Sequence, residues 1–271
     1  MDNRVLFIGG DKRMIYAARK LSAQLSVDTL GLTEGESELS GHYSTVVLPL
    51  PWSRDGKAVS APLCARPITL TEALDHAEKG AHVLAGAVTP PLEEECRLRG
   101  LTLTDYYRDE VLTLKNAALT AEAAVGLLAL NTERSLFGSS AVITGGGRIA
   151  LLTAGLLRSF GAYVTVCARN EIQRARAAAQ LLSVADITEL KRLSERADII
   201  VNTVPVPLFD TESLRYMNEG TVFMELASLP PLPKSVTEDI PVTYIHAGGL
   251  PGRYSPQAAG EAIADALLKG M

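Results

Sequence analysis

The sequence is short of cysteine, aromatic residues and positive charge. It has three cysteines in 271 residues, and aromatic residues make up 5% of the chain. Cys64, Cys96 and Cys167 lack metal-ligand or CxxC spacing, so we expect buried thiols in a reducing compartment rather than a metal site or a disulfide scaffold. Lysine and arginine number 26 against 31 acidic residues. This balance argues against a nucleic-acid-binding protein, because such proteins need surplus cations to displace counterions.

The sequence also lacks a long hydrophobic run. No stretch of about 18 apolar residues occurs, so we expect no membrane-spanning helix. The N-terminus lacks the apolar core and small-residue cleavage site of a signal peptide, which favours a cytoplasmic protein. Hydrophobic residues still make up 47% and charged residues 21% of the chain. That composition is typical of a globular protein, and the length suggests about two domains.

Short apolar strands alternate with helices along the whole chain. This alternation predicts an α/β fold with parallel sheets and helices on both faces of each sheet. Both halves begin with a strand, a Gly-rich turn and a helix, which suggests two similar folds in tandem. A helix is predicted from Thr71 to Lys79, closed by Gly80 as its C-terminal cap. A long helix rich in Ala and Leu, from Leu112 to Leu130, connects the halves.

The segment from Ala141 to Ala150 matches the dinucleotide-binding pattern G-x-G-x-x-A, with glycines at Gly145, Gly146 and Gly147. A strand precedes it and an apolar helix follows, which is the context that this motif requires. Gly145 permits the tight turn and Gly147 lets a pyrophosphate approach the backbone. The first helical residues, Arg148 and Ile149, offer N–H groups and the helix dipole to that anion.

The end of the second strand of this unit distinguishes between the two nicotinamide cofactors. An NAD enzyme usually has Asp or Glu there to bind the ribose 2′-hydroxyl. This chain has Ala168, Arg169 and Asn170 instead. The planar guanidinium of Arg169 suits a 2′-phosphate. We therefore predict NADP(H), with Arg169 and Asn170 among the cofactor-binding residues.

Two later strand ends complete the predicted cofactor site. In such folds the ligand lies across the carboxyl ends of the strands. This places Thr203, Val204 and Pro205 along the cofactor, and Ala227 and Ser228 near the nicotinamide. Ordinary strand-to-loop turns are the alternative interpretation of both segments.

Several segments in combination resemble the family of dipicolinate synthase A subunits. They occur in the family's order from one end of the chain to the other: Ile8–Arg13, Asn116, Thr120–Glu122, Gly145–Ala150, Ala168–Arg169, Glu225–Ser228, Gly249–Gly252, Ser255–Pro256 and Ala259–Gly260. The N-terminal and C-terminal segments are fairly specific in combination, whereas very many dehydrogenases share the dinucleotide loop.

The resemblance implies a fold, a reaction and partners. Two Rossmann-like, doubly wound domains flank a cleft, and the C-terminal helix returns to the N-terminal domain; the domains are residues 1–118 with 255–271, and 119–254. The implied reaction oxidises a dihydrodipicolinate-type intermediate to pyridine-2,6-dicarboxylate with NADP⁺. The implied partner is the flavoprotein-like B subunit of dipicolinate synthase, and the implied location is the mother-cell cytoplasm of a sporulating bacterium. We also expect a homo-oligomer.

A dicarboxylate substrate needs cationic or backbone donors, and arginine matches carboxylate geometry best. Arg13 follows the first strand, and we predict that it binds substrate together with Gly10, Asp11 and Gly252. Asp11 has an alternative role as the N-cap of the following helix. Arg108 and Arg253 are weaker candidates.

Oxidation of the ring also needs a group that accepts a proton. Glu122 lies near the start of the predicted long helix, with Thr120 beside it, and we predict both as catalytic residues with Arg13. A solvated helix glutamate is the alternative for Glu122. His246 is a weaker acid–base candidate, and the sequence shows no Ser-His-Asp set and no metal-ligand cluster.

Two other functions stay open. The first is another NAD(P)-dependent dehydrogenase acting on a 2-hydroxy or amino acid, which a His–carboxylate pair would favour. The second is a non-catalytic subunit that senses NADPH. This alternative stays open because the sequence shows no convincing catalytic base.

Overall fold

The computed structural model describes residues 4–32, 39, 41–228, 232–238 and 240–271. The chain divides into two compact units, residues 1–116 with 252–271 and residues 117–251. Each unit contains a parallel sheet, and the predicted pair of Rossmann-like α/β folds is confirmed.

The first unit is built from ten elements before the long helix and from the last helix of the chain. In chain order the ten are β1 (Arg4–Ile8), α1 (Lys12–Leu21), β2 (Ser26–Leu30), β3 (Tyr43–Val47), β4 (Ala58–Val59), β5 (Ile68–Thr69), α2 (Leu70–Asp75), β6 (Ala77–Ala85), α3 (Pro90–Arg99) and β7 (Thr102–Asp105). The long helix α4 (Glu110–Asn131) follows. The five-stranded sheet has the order β2-β1-β3-β6-β7, and β4 and β5 form a small antiparallel pair.

The second unit contains six strands and the helices between them. They are β8 (Ser140–Thr144), α5 (Arg148–Ser159), β9 (Tyr163–Cys167), α6 (Glu171–Ala178), β10 (Ser183–Ala185), α7 (Leu190–Ser194), β11 (Ile199–Asn202), α8 (Thr211–Arg215), β12 (Val222–Glu225), α9 (Lys234–Thr237) and β13 (Thr243–His246). The sheet order β10-β9-β8-β11-β12-β13 is that of a dinucleotide-binding Rossmann fold. Helices α10 (Leu250–Tyr254) and α11 (Pro256–Gly270) follow.

Alternating side chains of the central strands fill two cores in each unit. In β1, Phe7 faces the layer formed by α1 and α11, whereas Leu6 and Ile8 face the opposite layer. In β8, Ile143 packs with α5, whereas Val142 packs on the other side of its sheet. Burial on both faces is the pattern of a parallel sheet covered by helices.

The predicted helix Thr71–Lys79 with a cap at Gly80 is wrong. Helix α2 ends at Asp75, and β6 already begins at Ala77, which pairs with Tyr43 of β3. The register shifts between Tyr43 and Thr45, and Gly80 has a φ of 78° within the irregular stretch. Strand pairing therefore overrides the local helical pattern, and the glycine accommodates the bulge.

The long helix α4 bears on the expectation that the chain has no membrane-spanning helix. By its length and composition alone, α4 could cross a membrane. Of its most apolar 18-residue stretch, 39% is buried inside the protein. Its Leu112 packs in the core of the first unit, while Ala124 and Leu128 pack in that of the second. Helix α4 therefore contributes buried residues to the cores of both units, while most of its other side chains are exposed or half-buried.

The C-terminal helix returns to the first unit, as predicted. Ile263 and Leu267 of α11 are buried in the same core as Met14 of α1. At Gly260 a Cβ would lie 2.3 Å from the Arg13 carbonyl oxygen and 2.7 Å from Tyr16 Cβ. The two helices therefore approach as closely as they do because this position has no side chain.

We expect Gly260→Ala to destabilise the first unit by about 2 kcal/mol, because the added methyl group must push α11 away from α1. Urea unfolding followed by circular dichroism measures the change. The control is Gly155→Ala in α5, where a Cβ meets nothing within 4 Å; it is expected to stabilise by about 0.5 kcal/mol. Equal stabilities of the two variants would contradict the close helix contact.

Candidate functional site

The Gly-rich loop joins β8 to α5 and has the geometry of an anion-binding turn. Gly145 has a φ of 86°, and a Cβ there would lie 2.8 Å from Thr203 Oγ1. A Cβ at Gly146 would lie 2.6 Å from Gln173 Cβ. Both positions thus require glycine for reasons of the fold itself.

Gly147 differs from its two neighbours. Its φ of −79° suits any residue, and a Cβ there would meet nothing within 4 Å. It is the N-cap of α5, and no side chain caps this helix start. The first turn of α5 contains Arg148 and Ile149, and the open space over Gly147 at this helix start fits a pyrophosphate.

The strand end that distinguishes the cofactors carries two arginines. Arg169 is exposed, and its guanidinium has no hydrogen bond or ion pair within the described part of the chain. Arg174 of α6 was missed by the sequence analysis; its Nη1 donates to the carbonyls of Ala168 (2.6 Å) and Arg169 (2.8 Å) and pairs with Asp186 (2.7 Å). A lone arginine one turn into a helix gives no sequence signal for this contact.

The side chain of Asn170 caps the next helix. Its Oδ1 accepts the N–H groups of Ile172 (2.8 Å) and Gln173 (3.4 Å), so it is the N-cap of α6. The side-chain oxygen of Asn170 therefore accepts hydrogen bonds at the start of α6.

Thr203 and Val204 lie against the Gly-rich loop. Thr203 Oγ1 donates to the Thr144 carbonyl at 2.6 Å, and the side chains of Thr203 and Val204 bound the space beside Gly145. Pro205 follows on the exposed surface. The carboxyl ends of β8 and β11 are therefore joined by hydrogen bonds and packing at the loop.

A buried polar network continues from there into β12, and the sequence analysis missed it. Asn202 Nδ2 donates to both carboxylate oxygens of Glu225, at 3.0 and 2.9 Å. Asn202 Oδ1 accepts Thr144 Oγ1 at 2.5 Å. Glu225 Oε1 also accepts the Ala227 N–H at 2.9 Å. Burial raises the pKa of the Glu225 carboxyl, while these hydrogen bonds and the charge of His246 act against that rise.

Ala227 is buried directly after this network, and Ser228 is exposed beside it. His246 is the register partner of Glu225 on β13. A glutamate in an apolar strand gives little sequence signal, because only strand pairing reveals that Asn202 faces it.

In the first unit, the predicted substrate residues form one cluster. Asp11 is the N-cap of α1 and accepts the Arg13 N–H at 3.0 Å, which confirms the capping alternative. The same carboxylate pairs with Arg13 Nε at 2.9 Å, and Arg13 Nη2 donates to the Leu50 carbonyl at 2.6 Å. A Cβ at Gly252 would lie 2.6 Å from Asp11 Oδ2.

This cluster holds Arg13 in one orientation. The Arg13 side chain is 13% exposed, and its Nη1 makes no hydrogen bond with the described residues. Gly10, with a φ of 108°, forms the turn before it; a Cβ there would lie 2.2 Å from Met14 Cγ. The arrangement can present one fixed arginine N–H edge to an anion.

Most of the remaining candidates are exposed. Arg108 is exposed and 3.8 Å from Asp105, and exposed Arg253 lies over the ring of Tyr254. Glu122 lies in the second half of α4, not near its start, since the helix begins at Glu110. Glu122 is exposed, whereas Thr120 is buried. Among the described residues, no group of three His, Cys, Asp or Glu side chains could hold a metal ion.

Comparison with known proteins relates both units to characterised families. Residues 4–107 match the family model of the N-terminal domain of the dipicolinate synthase A subunit. Residues 125–228 match "D-isomer specific 2-hydroxyacid dehydrogenase, NAD binding domain". The dipicolinate synthase A subunit of Bacillus subtilis is 25% identical over 98% of this chain and 95% of its own length. The chain resembles the dipicolinate synthase A subunit along nearly its whole length. The resemblance predicted from the sequence is confirmed.

Solved structures agree in fold. The crystal structure of the dipicolinate synthase A subunit from Bacillus halodurans superposes with a TM-score of 0.86 at 24% identity, covering 99% of this chain and 97% of that one. A transhydrogenase from Sinorhizobium meliloti gives 0.67 at 14% identity, covering 98% and 92%. These likenesses show the fold, and the family match of residues 125–228 makes the second unit a nicotinamide-dinucleotide-binding domain of the dehydrogenase type.

We expect Gly147→Ala to weaken dinucleotide binding by about tenfold or more, because the methyl group occupies the space left for the pyrophosphate. Its thermal unfolding without cofactor should stay close to that of the wild type, since the backbone conformation and the surroundings accept alanine. Fluorescence titration with NADPH and calorimetry measure the two quantities. Unchanged affinity in this variant would contradict a pyrophosphate at Gly147.

Glu225 predicts a pH dependence of stability. The folded chain holds this proton more tightly than the unfolded chain, whose carboxyl has the ordinary pKa of 4.5. Its contribution to the unfolding free energy therefore falls as the pH rises through the interval between 4.5 and the raised value. Relative to Glu225→Gln, the wild type should lose stability as the pH rises above the ordinary carboxyl pKa of 4.5. Urea unfolding at stepped pH tests this, and a constant difference would refute it.

Proposed function

We propose that this chain is an NADP-dependent oxidoreductase that oxidises a dihydrodipicolinate-type intermediate to pyridine-2,6-dicarboxylate during sporulation, as the A subunit of a dipicolinate synthase. The observation that carries the proposal is the match to the Bacillus subtilis protein over nearly the full length of both chains. A shared dinucleotide loop alone would not carry it, because many dehydrogenases have one.

The choice of NADP(H) is supported by the charges at the end of β9. Arg169 is exposed and uncommitted among the described residues, and the nearby carboxylate of Asp186 is already paired with Arg174. An NAD-specific site would need a carboxylate there to accept the ribose 2′-hydroxyl. A 2′-phosphate instead gains charge-assisted hydrogen bonds from a guanidinium.

The proposed substrate is a ring with two carboxylates. Arg13 supports this assignment because Asp11 and the Leu50 carbonyl hold its guanidinium while Nη1 stays available. Gly252 adds no side chain beside this ion pair, since a Cβ there would lie 2.6 Å from Asp11 Oδ2 and 3.1 Å from Arg13 Nε. A positioned arginine binds a carboxylate in a defined direction.

The oxidation removes one hydride and one proton from the substrate ring. NADP⁺ supplies the hydride acceptor, and the aromatic product lowers the demand on the base. We assign Glu122 as the proton acceptor, with Thr120 beside it in sequence; an exposed carboxylate can take up a proton directly from a bound ligand.

We further propose that the chain works in the mother-cell cytoplasm as a homo-oligomer with the flavoprotein-like B subunit. Co-expression of the two chains, followed by size-exclusion chromatography with light scattering, tests the assembly. If the chain is a monomer that never co-elutes with its proposed partner, this part of the proposal is rejected.

The deciding experiment combines the purified chain, the B subunit, NADP⁺ and freshly generated dihydrodipicolinate. NADPH and the ultraviolet absorbance of dipicolinate should appear together and in equal amounts. Absence of turnover with intact NADPH binding would reject the oxidation and favour a protein that senses NADPH.

Arg169→Ala should weaken NADPH binding by about tenfold or more while leaving NADH binding nearly unchanged, because only the 2′-phosphate loses its partner. The matched control is Arg176→Ala, which removes an exposed arginine from α6 in the same unit. Titrations with both cofactors give the ratio of affinities. A parallel loss for NADH and NADPH would contradict the assigned role of Arg169.

A dehydrogenase acting on 2-hydroxy acids is the second candidate. The register of β12 and β13 makes Glu225 and His246 neighbours, and a His–carboxylate pair is the acid–base system that such enzymes need. The hydrogen bonds of Glu225 go to Asn202 and Ala227 instead, which favours the first proposal. Reduction of 2-keto acids with NADPH or NADH, abolished by His246→Ala, would support the second.

A further inference from the structure

Glu225 is a buried carboxylate that the proposed reaction does not use. It is 6% exposed, and its partner Asn202 is 1% exposed. Burial of an ionisable group is costly unless hydrogen bonds compensate for the lost water. A group kept at this cost and at the carboxyl end of a strand calls for a physical explanation.

The carboxylate determines the orientation of the Asn202 amide. An ionised carboxylate only accepts hydrogen bonds, so the donor end of the amide, Nδ2, must face Glu225. Oδ1 therefore faces the other way, where it accepts Thr144 Oγ1 at 2.5 Å and the Val204 N–H at 3.2 Å. Reversal of the amide would place its donor end against the Val204 N–H and its acceptor end against the Glu225 carboxylate.

The orientation of Asn202 reaches the Gly-rich loop through Val204. Asn202 binds both backbone groups of Val204, since Nδ2 also donates to the Val204 carbonyl at 3.3 Å. Val204 Cγ2 lies 3.0 Å from the position of a Cβ on Gly145. The segment that forms one wall of the loop is thus held by the amide that Glu225 orients.

The same carboxylate also holds the next strand end. Glu225 Oε1 accepts the Ala227 N–H at 2.9 Å, and Ala227–Ser228 is the segment assigned to the nicotinamide. Glu225 is therefore connected through Asn202 to the wall of the Gly-rich loop, and it is hydrogen-bonded directly to the segment assigned to the nicotinamide.

We propose that Glu225 is a positioning residue that fixes these two parts of the dinucleotide site relative to each other through Asn202 and Ala227. It touches neither substrate nor cofactor. The inference rests on the proposed function only in assigning NADP(H) to this site, and cofactor binding can be measured without any substrate.

The test exchanges donor and acceptor between the two side chains. In Glu225→Gln, an amide NH₂ meets the NH₂ of Asn202 or the Ala227 N–H, whichever way it turns. Asn202→Asp places two carboxylates together. Both changes in one chain restore a donor facing an acceptor. Glu219→Gln, which removes an exposed carboxylate from the same unit, is the control.

We expect each single change to raise the Kd for NADPH about tenfold, because a buried polar group loses its partner. The double variant should recover part of that affinity, because the pair between the two side chains is restored while the Val204 carbonyl still lacks its donor, and Glu219→Gln should bind as the wild type does. Once turnover is established, kcat should follow the same pattern, while the KM of the substrate changes little. Circular dichroism and thermal unfolding identify variants that have not folded.

Wild-type affinity in folded Glu225→Gln, or a folded double variant no better than the single ones, would overturn the proposal. Should neither single variant fold, the double variant decides by itself: a Kd for NADPH less than tenfold above that of the wild type supports the proposal, and a greater loss refutes it. A wild-type chain that binds NADPH and shows no turnover would reject the proposed oxidation alone. A wild-type chain that binds no NADPH would reject both.

Discussion

The hydrogen bond from the Asn202 amide to the Glu225 carboxylate is the contact on which the ligand edge of the second unit depends. It joins β11 to β12 at the point where both strands end, and Thr144 adds β8 to the same network. Parallel strands leave their last peptide groups without sheet partners at this edge, so side chains must satisfy them. The conformation of the Gly-rich loop depends on this network, because Thr203 and Val204 pack against Gly145.

In the first unit, an ion pair fixes the orientation of a charged side chain. Asp11 caps α1 and holds the guanidinium of Arg13, and Gly252 leaves room for both. A charge that is paired and bound to the Leu50 carbonyl keeps one direction without the cost of an isolated buried ion. Each unit therefore uses an acidic side chain to orient a neighbour rather than to meet solvent.

Local patterns in the sequence predicted the elements that local forces determine. Gly145–Ala150 between a strand and an apolar helix, and Asp11 before α1, are such cases, because turns and caps depend on adjacent residues. Asn170 shows the ambiguity of this evidence, since a helix cap and a ligand-binding residue look alike in sequence. The prediction of a helix ending at Gly80 was wrong because Ala77 pairs with Tyr43, so the segment forms a strand. Glu225 was not recognised because its partner Asn202 is brought beside it only by the pairing of β11 and β12.

The return of α11 to the first unit affects how the protein is made. The core that contains Phe7 and Met14 is completed by Ile263 and Leu267, while residues 117–251 form the other unit in between. On the ribosome, the whole dinucleotide-binding unit emerges before the last helix of the first unit exists. The N-terminal segment must therefore keep an incomplete hydrophobic face until α11 has been synthesised, and transiently exposed apolar surface of this kind favours aggregation.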